Sequence, residues 1–178
     1  RRADPDRSGG IGRQALRGIG RSADIVTYIS NYTLQRLRPA FGNGPRFVAL
    51  PSGVDTAFFR PATVAQRTAT RERLGVGDAP LVVCSSRLVA RKGQDVLIRA
   101  LPEVRRQAAG ARLVIVGTGP DARRLHAGAG EEVVFTGAVP GEQLRDIVAA
   151  ADVFAMPART RLGGFDVEGL GIVYLEAQ

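Results

Sequence analysis

The run Leu81-Val82-Val83-Cys84-Ser85 is followed by Gln94 to Gln107 and then by Arg112-Leu113-Val114-Ile115-Val116. The two short runs are almost wholly apolar, as strands are when both faces of their sheet are covered. Between them Val96, Leu97, Ala100, Leu101 and Val104 fall on one face of a helix. Strand, helix and strand in that order make a βαβ unit of a parallel sheet.

The same rhythm extends outward. Ahead of this unit a helix is predicted over Gln66–Leu74. After it come a short helix near Asp121–His126, a strand over Val133–Thr136, a helix over Gly141–Ala151 and a strand over Val153–Met156. A loop is expected from Pro157 to Val167, and a last helix beginning near Gly169. The fold class is α/β, a Rossmann-like parallel-sheet domain. Further upstream, Ala23–Ile29 and Phe47–Leu50 read as strands on either side of a helix over Tyr32–Pro39, with Ser30-Asn31 as its N-cap. The first twenty residues, rich in Arg, Gly and Asp, read as loop leading into a short helix. The turn-rich segment Pro51–Pro61 reads as a linker.

Composition narrows the function classes. The 178 residues are 44% hydrophobic and 24% charged, with a mean hydropathy near zero, as in soluble globular proteins. There is no apolar run of the 18 or so residues a membrane span requires. A single cysteine, Cys84, excludes an internal disulfide framework, and its place in an apolar run makes it a core residue. The one histidine, His126, lies in a polar stretch and reads as a solvated helix end, so no zinc-ligand pattern exists. The net charge of +8 admits phosphate-rich or anionic-lipid partners, but the arginines are scattered and Trp is absent, which argues against nucleic acid. Of the 25 basic residues, Lys92 alone is a lysine. A compact ammonium suits a phosphate oxygen where a planar guanidinium is larger.

Ligands of open parallel sheets bind beyond the carboxyl ends of the strands. Four strand exits carry suggestive residues. Ser85-Ser86-Arg87-Leu88-Val89-Ala90-Arg91-Lys92-Gly93 places Arg87 and Lys92 where both can meet one anion. Gly117-Thr118-Gly119-Pro120 is either a tight turn or a phosphate contact near a helix start. Phe135-Thr136-Gly137-Ala138-Val139-Pro140 offers apolar surface and backbone groups to a nucleobase, or is a plain strand exit. In Gly163-Gly164-Phe165-Asp166-Val167-Glu168-Gly169-Leu170-Gly171, a glycine-rich loop meets the predicted last helix, with Glu168 in its first turn. Glu176 lies eight residues on, about 12 Å along a helix axis. Carboxylates at that spacing suit hydroxyls at two ends of an extended ligand. A diphosphate flanked by hydroxyl-bearing groups, as in a nucleotide-diphosphate sugar, matches this set.

These motifs together resemble the retaining GT4 glycosyltransferases of the GT-B fold, over roughly Ser22 to Gln178. The residues that carry the resemblance are Glu168-x7-Glu176, the Ser-Arg-Leu…Arg-Lys-Gly loop, Val-Gly-Thr-Gly-Pro, Phe-Thr-Gly and the upstream Pro-Ser-Gly-Val-Asp. The stretch Arg161 to Ala177 is most similar to actinobacterial phosphatidyl-myo-inositol mannosyltransferases of the PimB type. The resemblance implies a donor, GDP-mannose, whose diphosphate is held by Arg87 and Lys92 as the nucleotide leaves. It implies Glu168 as a catalytic contact to the sugar with Gly164, Phe165 and Asp166 beside it, Glu176 on the ribose, and Ala138, Val139 and Leu144 around the base. It further implies an inositol phospholipid acceptor at the inner face of the plasma membrane, no bound metal or other cofactor, and no nucleic-acid partner. Another nucleotide sugar or acceptor within the same family is the competing reading, and a non-catalytic nucleotide-binding module the alternative from another class.

On this reading residues 1–50 are the remnant of an acceptor domain, 51–75 a linker with a lead-in helix, and 76–178 a truncated nucleotide-sugar domain. The chain begins without Met and stops within a predicted helix, so it is expected to be a fragment that binds nucleotide weakly and does not turn over.

Overall fold

The computed structural model describes residues 6–161, 166 and 168–178, with the backbone alone at 6–11 and 13. It divides into two compact units, Arg1–Gly53 and Val54–Gln178.

The first unit contains α1 (Asp6–Ser22), β1 (Ile25–Tyr28), α2 (Asn31–Phe41) and β2 (Arg46–Ala49). The strands pair in parallel from Ile25 opposite Arg46 to Tyr28 opposite Ala49. Ser30 caps α2: its Oγ accepts from the Thr33 N–H, and Thr33 Oγ1 accepts from the Ser30 N–H. The opening segment differs from expectation, since α1 is a 17-residue helix rather than loop and a short helix. Each helical glycine costs about 1 kcal/mol against alanine, which hides the helix locally. Packing on α2 offsets that cost, and Gly20 is needed there because a Cβ would overlap the Phe41 carbonyl oxygen. A two-stranded parallel sheet buries little, and Ile25 and Leu50 remain 52% and 61% exposed.

The second unit contains α3 (Val64–Arg73), β3 (Leu81–Ser85), α4 (Gln94–Gln107), β4 (Arg112–Val116), α5 (Ala122–Ala127), β5 (Val133–Gly137), α6 (Gly141–Ala149), β6 (Val153–Phe154) and α7 (Val173–Glu176). Its sheet runs β5-β4-β3-β6, all parallel. Side chains of a strand alternate between faces, and two cores result. Cys84, Leu113 and Ile115 join Ile98 and Leu101 of α4 and Leu125 of α5 on one face. Leu81, Val83, Val114 and Val116 join Ile147 of α6 on the other. Burial pushes the Cys84 thiol up to about 11, as suits a core residue.

At the amino ends of the strands Arg71, which is buried, donates to the carbonyls of Gly77, Ala79 and Ala150 and pairs with Asp152. Asp152 also accepts the Leu81 N–H at 2.7 Å and pairs with Arg67. Burial alone would raise the Asp152 carboxyl, but the Leu81 N–H and the two guanidinium groups outweigh it and hold it below its ordinary value. A lowered folded pKa contributes stability that is full above the unfolded value, about 3.9, and is lost as pH falls through the folded value. Asp152→Asn is therefore expected to lower Tm at pH 7 and to match the parent in acid below the folded value. A Tm loss of equal size at both pH values would refute this electrostatic account.

Candidate functional site

In this sheet the chain leaves β3 for β4 and β5 on one side, while β6 lies on the other. A crevice therefore opens beyond the carboxyl ends of β3 and β6, the topological switch point where open α/β sheets take their ligands. Residues 86–93 follow β3 at this end, and residues 155–161, 166 and 168–172 are the described ones that follow β6.

The β3 loop is held from several directions. Leu88 is buried, its N–H donates to Thr118 O at 2.9 Å, and its carbonyl accepts from Asp121 N at 3.1 Å. Gln94, 1% exposed, donates from Nε2 to Ser86 Oγ at 2.8 Å and to Arg87 O at 3.0 Å. The loop closes in a 3-10 turn, Ala90–Lys92, and Gly93 follows at φ +77°. Arg87 stands exposed on this loop. The Lys92 side chain is 12% exposed and brings Nζ to 2.5 Å from Glu168 Oε2.

From the β6 side, Arg161 and Asp166 exchange backbone hydrogen bonds of 2.9 and 3.3 Å. Arg91 lies 3.5 Å from Asp166 Oδ1 through NH1 and 3.8 Å from Glu168 Oε2 through Nε. Two cations of one loop thus face two carboxylates of the other. Arg91 Nε and Glu168 Oε2 are buried without a hydrogen bond. The Lys92 ammonium is close to that oxygen but not aligned as a hydrogen bond, so the contact is an ion pair. Buried polar atoms left without hydrogen bonds are costly, and two of them lie at this contact.

The expected residues are only partly gathered. Lys92, Asp166 and Glu168 come together, but Gly164 and Phe165 lie outside the described residues. The helix expected from Gly169 starts at Val173. Glu168 is therefore not in its first turn, and the 12 Å helical spacing to Glu176 does not apply. Gly171 takes φ +71°, which stops the helix short, and Tyr174 is drawn to the β6 exit by its hydrogen bond to Met156 O and its edge contact with Phe154. Glu176 lines a cleft of about 430 Å³ with Phe59, Arg60, Arg145 and Val148, and burial raises its carboxyl. Neither Arg87, Lys92 nor Glu168 lines that cleft.

Around the expected base position, Ala138 is exposed, whereas Val139 and Leu144 pack against the second core. Gly117 and Gly119 are explained by loop packing: a Cβ would overlap Ser86 O at the first and Leu88 O at the second. His126, exposed at the end of α5, stacks on Phe135 with ring centroids 3.9 Å apart. Arg91, Gln94 and Arg159 also belong to this arrangement, and none of them has a periodic signal in the sequence. Among the described residues no group of three or more His, Cys, Asp or Glu is placed to hold a metal ion, and no helix is long and apolar enough to cross a membrane.

Comparison with known proteins bears on this arrangement. A GDP-mannose-dependent monoacylated alpha-(1-6)-phosphatidylinositol monomannoside mannosyltransferase of Corynebacterium glutamicum is 54% identical over 170 residues, 93% of this chain and 45% of that protein. A GDP-mannose-dependent alpha-(1-6)-phosphatidylinositol monomannoside mannosyltransferase of Mycolicibacterium smegmatis is 55% identical over 172 residues, 94% of this chain and 45% of that protein. The chain spans about half the length of these curated relatives. Among solved structures, Anabaena Alr3699/HepE in complex with UDP and glucose superposes with a TM-score of 0.80 at 22% identity, over 98% of this chain and 47% of that one. WaaG, a glycosyltransferase involved in lipopolysaccharide biosynthesis, gives 0.66 at 25% identity over 85% and 40%. The parallel-sheet architecture is that of GT-B glycosyltransferase structures. The sequence pattern of one family covers residues 79–178, from the lead into β3 to α7, and by it the chain belongs to the glycosyl transferases group 1.

Proposed function

We propose that the protein carrying this chain transfers mannose from GDP-mannose, with retention, to an inositol phospholipid in phosphatidylinositol mannoside synthesis. One observation carries the reading: Lys92 and Glu168 meet across the β3–β6 crevice in a chain 54–55% identical to relatives named for that reaction. In this reading Arg87 and Lys92 hold the donor diphosphate, and Lys92 stabilises the charge that develops on the leaving nucleotide. Glu168 turns from Lys92 to the sugar hydroxyls, beside Gly164, Phe165 and Asp166. Glu176 accepts from the ribose, and Ala138, Val139 and Leu144 flank the base. The acceptor attacks the face from which the nucleotide departs, helped by the leaving phosphate, and no metal takes part. The exposed apolar side chains of residues 1–53 fit a piece of a larger acceptor domain, so the 178-residue chain alone is proposed to bind nucleotide weakly and not to turn over.

The +8 charge suits peripheral binding to the anionic inner face of the plasma membrane. The test is a titration of the complete gene product with GDP-mannose, UDP-glucose and ADP-glucose, followed by transfer assays on vesicles containing phosphatidylinositol. Tight binding of GDP-mannose alone, cosedimentation with the vesicles and a mannosylated lipid are expected. Equal, weak binding of all three donors would remove the mannosyltransferase reading.

A further inference from the structure

The exit of β6 lies against the Lys92 turn at several points. Arg159 donates its N–H to Arg91 O at 2.8 Å and its Nε to Ala90 O at 3.0 Å. Its NH2 reaches both oxygens of Asp95, at 3.0 and 3.1 Å. A Cβ on Gly93 would overlap the carbonyl of Pro157, so the two backbones are in direct contact. Asp95 sits in the first turn of α4, and Arg99 is its second partner at 2.9 Å. Burial pushes the Asp95 carboxyl up, but hydrogen bonds from Arg99 and Arg159 more than offset this and keep it below its ordinary value.

These contacts have a common consequence. A three-residue 3-10 turn leaves carbonyls that it cannot satisfy itself, and it has no side-chain cap. Arg159 supplies donors to two of them and anchors its guanidinium on the helix that follows. The Arg91 O contact comes from the Arg159 main-chain N–H, while the guanidinium bridges Ala90 O and Asp95 at once because its planar fork points several N–H groups in fixed directions, whereas an ammonium is a single point. The turn carries Lys92, whose flexible stem must bring Nζ to one spot in the crevice.

We propose that Arg159 is a positioning residue for Lys92. Through Ala90 O, Arg91 O and Asp95 it fixes the turn, and the turn fixes the ammonium that meets the donor diphosphate. Asp95 is the anchor of the same device. The proposal rests on the donor-site reading of Lys92 given above.

The test is a cycle of variants in the complete gene product, with kcat/KM for GDP-mannose measured by radiolabelled transfer sensitive enough to read the K92A residual rate. Arg159→Lys is expected to lower kcat/KM roughly tenfold or more and to shift Tm by a few degrees at most. In a Lys92→Ala background the same change is expected to do nothing further. Asp95→Asn leaves the hydrogen bonds to the turn in place and is expected to cause a smaller loss, also absent in the K92A background. Equal losses from R159K with and without Lys92 would overturn the proposal, because Arg159 would then touch the donor itself or support the fold in general. An unchanged kcat/KM in R159K would overturn it as well. A Lys92→Ala variant of full activity would instead overturn the donor-site reading beneath it.

Discussion

Lys92→Ala is expected to reduce transfer from GDP-mannose by roughly 10²–10³-fold in kcat, the usual loss when one donor to a developing anion is removed. The Lys92 side chain is 12% exposed, and its ammonium lies beside Glu168, which Arg91 also approaches. Its removal would leave Glu168 Oε2 with Arg91 as its cation neighbour, and would leave the diphosphate to the exposed Arg87. Glu168→Gln should separate two roles that lie within one ion pair. GDP lacks the mannosyl group that Glu168 is proposed to contact, so freeing Lys92 from a competing carboxylate is expected to raise GDP affinity by roughly threefold or more. Transfer is expected to fall, because the contact to the sugar is weakened. Calorimetric titration with GDP beside steady-state transfer reads both. Equal losses of GDP affinity and transfer in E168Q would contradict the ion-pair account, and K92A with unaltered GDP binding would remove Lys92 from the site.

Gly93→Ala carries the largest expected cost to stability. Gly93 is held at φ +77°, where an L-residue pays about 1–2 kcal/mol. A Cβ would also overlap the carbonyl of Pro157, so the β6 exit must move. Together these should cost on the order of 3 kcal/mol, or roughly 6–12 °C in Tm. Gly110→Ala is the control, because Gly110 has the same φ of +77° and open space where its Cβ would stand. It should lose the conformational part alone, about 1–2 kcal/mol. Equal Tm losses in the two variants would show that the Gly93–Pro157 contact has slack. The displaced loop also carries Arg159, so G93A is expected to lose donor affinity beyond what its Tm shift explains.

Legibility varied with the range of the interactions involved. β3, α4 and β4 stand at the predicted residues, Leu81–Ser85, Gln94–Gln107 and Arg112–Val116. Their signals are local: apolar runs of strand length around a helix with one apolar face. The upstream helix α1 was hidden by its glycines, because the contact that makes Gly20 favourable belongs to Phe41 and not to its neighbours in sequence. The last helix was placed too early. Glu168, Gly169 and Gly171 carry the marks of a helix start, but a positive φ at Gly171 and the pull of Met156 on Tyr174 delay it to Val173. The glycines at 117 and 119 read as either a tight turn or a phosphate contact, and the close approach of Ser86 O and Leu88 O gives them a loop-packing role that sequence does not display.

For the crevice residues, the sequence by itself singled out Lys92 and Glu168 and determined to which strand exits they belong. A lone lysine among arginines and a carboxylate beyond a glycine-rich loop are properties of composition and order, and order along βαβ units dictates which strand ends carry which loops. Tertiary structure decided that β6 lies beside β3 and not beside β5, which brings the two loops into one crevice. It also decided that Lys92 and Glu168 form a pair at 2.5 Å, that Glu176 lines a different cleft, and that Arg159 and Gln94 brace the basic turn. These depend on pairings between residues far apart in the chain, as with Lys92 and Glu168, 76 positions from one another. Such pairings are set by packing the helices on both faces of the sheet, and no local pattern encodes them.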